Sequence, residues 1–485
     1  MAVLSGLEPK AVFEYFEKLC AVPHGSGNTK QISDLCVGFA KELGLKWRQD
    51  EVNNVVIWKN ASPGCEHAEP VILQGHIDMV CVKTEDCAKD MAKEGLDLRT
   101  DGEWVWADRT SLGGDDCIAV AMILAILADE SLPHPPLEAV FTVDEEVGME
   151  GAFALDCSDL KGRKLVNLDS EEEGVFTVSC AGGVRLDCFL PGEQAPLGEE
   201  TVWIVTLSGL LGGHSGAEIH KGRASANQVM GRVLYSAMER IPGLRLSSIR
   251  GGKFDNVICS ENRAVVAVPK DRAGDFEDFI REFDAVLKNE YAGCDDGITL
   301  ACERGEVDGA LSREATENIL RTLLAVPQGI QAMNVDFPGL VQTSLNLGVM
   351  ETRVDGLHFT ISVRSCIATQ KAMVVQRLRA ILALGGGTLE ARADYPGWQY
   401  NRSSALLKDI LAAYRTVSGR EGRIEAIHGG LECGLFIEKL PGLDAVSLGP
   451  DLHDIHSVQE RLNVASTQRV YELTRELLRH AALAG

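Results

Sequence analysis

Residues 116–130, DCIAVAMILAILADE, are apolar nearly all the way round a helix. A helix without a polar face must be covered on every side, by a sheet or by other helices. The chain around it supplies both. NVVIW (54–58), PVILQ (70–74), LEAVFTV (137–143), KLVNLD (164–169) and GVFTVSC (174–180) are short apolar runs of strand length. PKAVFEYFEKLC puts Val12, Phe13, Phe16, Leu19 and Cys20 on one helical face, with Pro9 near its start. KQISDLCVGFAKELGL repeats the pattern through Ile32, Leu35, Cys36, Phe39 and Leu43. Strands alternating with helices predict an α/β domain with a mostly parallel central sheet.

With 485 residues the chain is too long for one ordinary core. Its middle has a different texture. TVWIVTLSG (201–209), RAVVAVP (263–269), GITLACERG (297–305), QTSLNLGVM (342–350) and LHFTISVRS (357–365) alternate as antiparallel strands do, with helical runs between them. From about 400 the first texture returns, ending in a helix over 464–482. The expectation is one α/β domain, 1–185 and 399–485, interrupted by an α+β domain at 186–398. No short-period repeat is evident.

A net charge of −24 argues against nucleic acid or an anionic membrane surface as partner. No run reaches the ~18 apolar residues of a membrane span. The first twenty residues carry charges throughout, unlike a secretory signal. The 14 cysteines are scattered without a CxxC, as in a cytoplasmic protein with reduced thiols.

Ligands of open α/β sheets gather where strands end. His76 and Asp78 follow VILQG. Asp144, Glu145 and Glu146 follow EAVFTV. Asp169 follows KLVNL, and His453 and His456 lie beyond DAVSLGP. Asp115 and Asp116 stand at the head of the apolar helix. Taken singly, each has a plain structural reading: a packed histidine, an N-cap, a solvated turn. As a set they recur at one kind of position, and so many carboxylates together repel strongly without a cation. Imidazole and carboxylate donors suit zinc. Three carboxylates and a hydroxide carry the charge that two Zn²⁺ neutralise. Asp78 would then orient His76, and one carboxylate of the Glu145–Glu146 pair would remain free beside a water.

LQGHIDMVC, SLGGDDCIA, DEEVGMEGA, NLDSEEEG, GGHSGAEIHKGRA, YPGWQ, HGGLECGLF and SLGP followed by HS resemble the aminoacyl-histidine dipeptidases, carnosinase-like members of the di-zinc exopeptidase superfamily. The resemblance runs from about residue 10 to the last helix. It implies a di-zinc exopeptidase-like domain with an inserted lid. The implied ligands of two Zn²⁺, with Co²⁺ or Mn²⁺ as substitutes, are His76, Asp115, Glu146, Asp169 and His456. Asp115 bridges, Glu145 is the general base, and Asp78 supports His76. From the lid, His214 reaches the substrate carbonyl and Arg364 the substrate's terminal carboxylate, with Asn256 on the same surface. Glu432, in HGGLECG, is a candidate substrate contact. The chain departs from the family pattern at GGDDC (commonly GADNG), IHSVQE (PHSPDE) and NVICSE (NAIPRE).

The implied activity is hydrolysis of dipeptides, Xaa–His or broader. A deacylase of N-acyl amino acids could use the same metals, and a non-catalytic binding protein could share the fold; the latter is disfavoured because no ligand or base is missing. No GxSxG, HExxH or P-loop occurs. The sequence leaves open whether the chain forms a homodimer.

Overall fold

The apolar segment forms the helix Gly114–Ala128, and every residue from Cys117 to Leu127 is buried. The computed structural model, which describes residues 3–483, packs this helix against the strand Val71–His76 and the helices Lys10–Cys20 and Val464–Leu483. Burial of each large aliphatic side chain is worth roughly 1.5–3 kcal/mol, so this one helix carries much of the cohesion around it.

Two units account for the chain. The first holds the chain up to Ser179, Trp398–Ala426 and the chain from Leu431. Its sheet has eight strands in the order Lys46–Gln49, Val55–Lys59, Leu137–Thr142, Val71–His76, Lys164–Asn167, Asp444–Ser447, Val175–Cys180, Arg423–Ile427. The four strands from Leu137–Thr142 to Asp444–Ser447 run parallel, with Val71 opposite both Leu137 and Lys164, and Lys164 opposite Asp444. Val55–Lys59 and Val175–Cys180 flank them antiparallel. Val71–His76 and Leu137–Thr142 are buried at every position, as strands covered on both faces must be. Parallel alignment brings the carboxyl ends of four strands to one edge: His76, then the chain after Thr142, Asn167 and Ser447.

The second unit holds Cys180–Gly397 and Ile427–Gly430. The strand Gly182–Pro191, which spans the boundary expected at residue 186, lies wholly within it. Its main sheet runs in the order Thr299–Arg304, Glu200–Ser208, Asn262–Pro269, Arg245–Gly251, Val341–Arg353, Gly356–Ser365, Gly182–Pro191, Thr388–Tyr395. This order repeats itself about its centre. One half is the strand Glu200–Ser208, helix Ala226–Arg240, strands Arg245–Gly251 and Asn262–Pro269, helix Ala273–Glu290 and strand Thr299–Arg304. The other is Gly182–Pro191, helix Arg313–Ala325, strands Val341–Arg353 and Gly356–Ser365, helix Ala368–Leu384 and strand Thr388–Tyr395. The halves join antiparallel where Arg250 faces Glu351 and Gly251 faces Met350. The sequence shows no repeat, yet the topology is duplicated, the first half being inserted after the first strand of the second.

Candidate metal centre and active site

At the edge of the first sheet, His76 Nε2 stands 3.1 Å from Asp115 Oδ1 and 3.4 Å from Asp169 Oδ1. The other oxygen of Asp115 lies 3.1 Å from His456 Nε2, which is 2.8 Å from Glu146 Oε1. Asp115 thus faces one histidine with each oxygen. Its backbone is extended (φ −81°, ψ 102°) although it sits at the head of a helix, and regular helix begins only beyond Asp116. The two aspartates part here. Asp116 turns under the strand and accepts the backbone N–H of His76 at 3.1 Å. Gly75 is required for this, because a Cβ there would lie 2.6 Å from Asp116 Oδ2. His453 is exposed, its ring 4.9 Å from that of Trp104, so it is His456 that meets Asp115 and Glu146. His456 adopts φ 57°, a left-handed conformation that a non-glycine residue holds only when its surroundings impose it.

Asp78 does more than the sequence suggests. His76 Nδ1 is 3.0 Å from its backbone carbonyl oxygen and 3.4 Å from its Oδ1. Its carboxylate also accepts Ser26 Oγ–H at 2.8 Å and the backbone N–H groups of Glu145 and Glu146 at 3.1 and 3.4 Å. One buried aspartate therefore orients a histidine and holds the loop that carries both glutamates. Glu460, absent from the sequence reading, does the same for Asp115. Its carboxylate accepts the N–H groups of Leu112, Gly113, Gly114 and Asp115 at 2.8, 3.1, 2.8 and 3.4 Å. Glu460 lies four residues beyond His456, so it ties the two segments together.

The electrostatics are those of a crowded acidic site. Burial pushes Asp169 up to about 8 and Glu145 and Asp116 well above the carboxylate range. Hydrogen bonds that its ring donates to the Asp115 and Glu146 carboxylates raise His456 to about 10. Burial opposes the charge of Asp115, but its bonds to His456 and His76 outweigh that and lower its pKa. Ligand atoms of Asp115, Glu146 and His456 lie within 4.8 Å of one another, as do those of His76, Glu145 and Glu146 and those of His76, Asp116 and Asp169. Two imidazoles and several carboxylates around one point form a donor set suited to divalent cations, whose charge relieves the repulsion.

In the second unit, His214 lies on the short strand Gly213–His214, paired with Val257–Ile258. Its Nδ1 accepts the backbone N–H groups of Gly216 and Ala217 at 3.2 and 3.0 Å. The ring proton therefore sits on Nε2, leaving a donor free. Burial and then Arg364 lower its pKa, which keeps the ring neutral. Gly216 permits this turn: a Cβ there would lie 3.0 Å from both His214 Cε1 and the His428 carbonyl oxygen. Asn256 enters through its backbone, its carbonyl accepting the N–H of Ser215 at 2.9 Å. Arg364 faces Ser344 across its strand pair and donates to Tyr395 Oη at 3.3 Å. His428, overlooked in the sequence, has Nε2 2.7 Å from Ser344 Oγ, and burial followed by Arg364 lowers it to about 4.

Glu432 is not where a substrate contact should be. It is fully buried in the first unit, and its carboxylate accepts Gln74 Nε2–H at 2.6 Å and Thr142 Oγ1–H at 2.7 Å. The glycine-rich HGGLECG is a crossing between units rather than an exposed turn: Ile427–Gly430 belongs to the second, while Glu432 returns to the first.

Residues 205–294 match the family model of the M20 peptidase dimerisation domain. The cytosol non-specific dipeptidase of Escherichia coli (strain K12) is 38% identical over 482 residues, covering 99% of each chain. The crystal structure of an aminoacylhistidine dipeptidase from Vibrio alginolyticus matches with a TM-score of 0.92 at 35% identity, covering 98% of each chain. Aminopeptidase PepT from Bacillus cereus shares the fold, with a TM-score of 0.58 at 15% identity over 98% of this chain and 99% of its own. With more than a third of its residues identical along essentially the whole length, and the same arrangement of both units' strands and helices, the chain belongs to the M20 peptidase family, in the branch of the cytosol non-specific and aminoacylhistidine dipeptidases.

Proposed function

We propose that this chain is a metal-dependent dipeptidase acting through two metal ions, with His76, Asp115 and Asp169 holding one and Asp115, Glu146 and His456 the other. The observation that carries this reading is Asp115, which presents one oxygen to His76 and the other to His456. Zn²⁺ suits these donors, with Co²⁺ or Mn²⁺ as substitutes. When bound, such ions polarise the scissile carbonyl and acidify water. Glu145, outside both ligand sets, takes a proton from the attacking water on its carboxylate and returns it to the leaving amine. Asp78 and Glu460 keep His76, Asp115 and the glutamate loop in place. His214 donates its Nε2–H to the carbonyl oxygen as negative charge develops there. Arg364 pairs with the substrate's terminal carboxylate, with Asn256 as a further polar contact. The substrates are dipeptides, Xaa–His among them.

The test is hydrolysis of a dipeptide panel, with N-acetyl amino acids as comparison, before and after chelation. Dipeptides should be cleaved, lose cleavage on chelation and regain it with Zn²⁺, Co²⁺ or Mn²⁺. Preference for N-acetyl amino acids would favour a deacylase; full activity of stripped protein would refute the metal reading. The dimerisation-domain match supports a homodimer, which light scattering would test. No helix among the described residues is long and apolar enough to cross a membrane. We place the enzyme in the cytoplasm, in keeping with its scattered cysteines and its Escherichia coli relative.

A further inference from the structure

Glu432 stands at the start of the helix Cys433–Lys439 with no exposed surface. Its Oε2 takes two hydrogen bonds, from Gln74 and Thr142. Its Oε1 is buried with no hydrogen-bond partner among the described residues. Gln74 passes the connection on: its Oε1 accepts Asn167 Nδ2–H at 2.7 Å, and Asn167 Oδ1 accepts the backbone N–H of Asp169 at 3.4 Å. Thr142, Gln74 and Asn167 lie on three adjacent parallel strands, with Gln74 opposite Asn167 and His76 opposite Thr142. Each precedes a residue of the site by two or three positions: Gln74 before His76, Thr142 before Glu145, Asn167 before Asp169.

A link needed only to join strands would serve as well with a neutral amide. A carboxylate with one oxygen unpartnered in a dry interior is costly unless positive charge stands nearby. Burial raises Glu432 to about 7 and the nearby His76 opposes that rise, so positive charge in the site favours its ionised form. We infer that Glu432 is a positioning residue for the metal ions, holding the ends of three adjacent strands in register and supplying a negative charge from the buried interior that strengthens cation binding. This rests on the assignment of His76, Asp115, Glu146, Asp169 and His456 as metal-holding residues.

The experiment uses the full chain stripped of metal and titrated with Zn²⁺ against a chromophoric chelator, alongside thermal unfolding of the metal-free protein. Glu432→Gln keeps the shape and removes the charge. It should weaken Zn²⁺ binding by roughly 10- to 100-fold, the effect usual for groups that support metal ligands. The metal-free protein should keep or raise its Tm, because one buried carboxylate has left a crowd of them. Thr142→Val, which removes a donor to Glu432, should weaken binding less, and the double variant should bind like Glu432→Gln alone. Parent-like affinity in Glu432→Gln would overturn the inference. So would a parallel fall in affinity and metal-free Tm, which marks a merely structural role, or strictly additive effects in the double variant. A parent chain that binds no Zn²⁺ would instead refute the metal assignment itself.

Discussion

Replacing Glu460 with alanine isolates how the two segments proposed to hold metal, around Asp115 and His456, are kept together. Three backbone N–H groups, of Leu112, Gly113 and Gly114, donate to its carboxylate at 2.8–3.1 Å, and a fourth, of Asp115, at 3.4 Å. Alanine leaves the three well-formed donors buried without acceptors. Each such orphan costs about 1–3 kcal/mol, and water entering the vacated space recovers part, so a loss of about 3–5 kcal/mol is expected. For a unit of this size a kcal/mol corresponds to roughly 2 °C of Tm, which gives a fall of about 6–10 °C in the metal-free protein. Metal affinity should also fall, by roughly 10-fold, because Asp115 loses the contact that fixes its backbone. Glu460→Gln keeps one acceptor and should lose about half as much stability. Scanning calorimetry and Zn²⁺ titration read both effects. A Tm change under about 2 °C with unchanged affinity would refute the assignment of Glu460 as the tie between the two segments.

Asp78→Ala should still bind metal, weaker by roughly 10- to 100-fold, and Glu145 and Glu146 should become mobile because their N–H groups lose an acceptor; Zn²⁺ titration and a crystal structure of the variant would show both. His214→Ala should lower kcat by about 10²–10³, the range for one lost oxyanion donor, whereas Arg364→Ala should chiefly raise KM for substrates with a free terminal carboxylate; unchanged steady-state kinetics in either would remove that residue from the proposal. His428 is neutral when folded, with a pKa near 4 against an ordinary 6.5. The unfolded chain takes up this proton first, so the second unit should lose stability as pH falls from about 6.5 towards 4. His428→Gln should flatten that slope in denaturant titrations at fixed pH.

The sequence made the first unit largely legible because its signals are local. Wholly apolar runs mark strands covered on both faces, and the acids and histidines just beyond them mark the edge where parallel strands end. Separating Asp115 from Asp116, and His456 from His453, needed family resemblance; in the structure the pairs part through the extended backbone at Asp115 and the left-handed turn at His456. The strand Gly182–Pro191 escaped because GGVRLDCFLP opens with glycines and carries charges on its exposed positions. The duplication in the second unit escaped because it resides in topology, with one half inserted into the other. The buried position of Glu432 is not legible for a different reason. Its environment is made by Gln74, 358 residues away in sequence, and nothing in a glycine-rich stretch reveals that the next acid points into the core.

In the proposed mechanism five residues hold two metals while Glu145 does proton work. Metal stoichiometry by mass spectrometry, measured on the parent and on Glu145→Gln together with kcat for one dipeptide, tests it most directly. Both proteins should hold two metal ions per chain, and the variant should have a kcat lower by several orders of magnitude, since an amide of the same shape cannot accept the proton. Loss of metal from Glu145→Gln would reverse the roles given to Glu145 and Glu146. Parent-like kcat in the variant would contradict the mechanism outright.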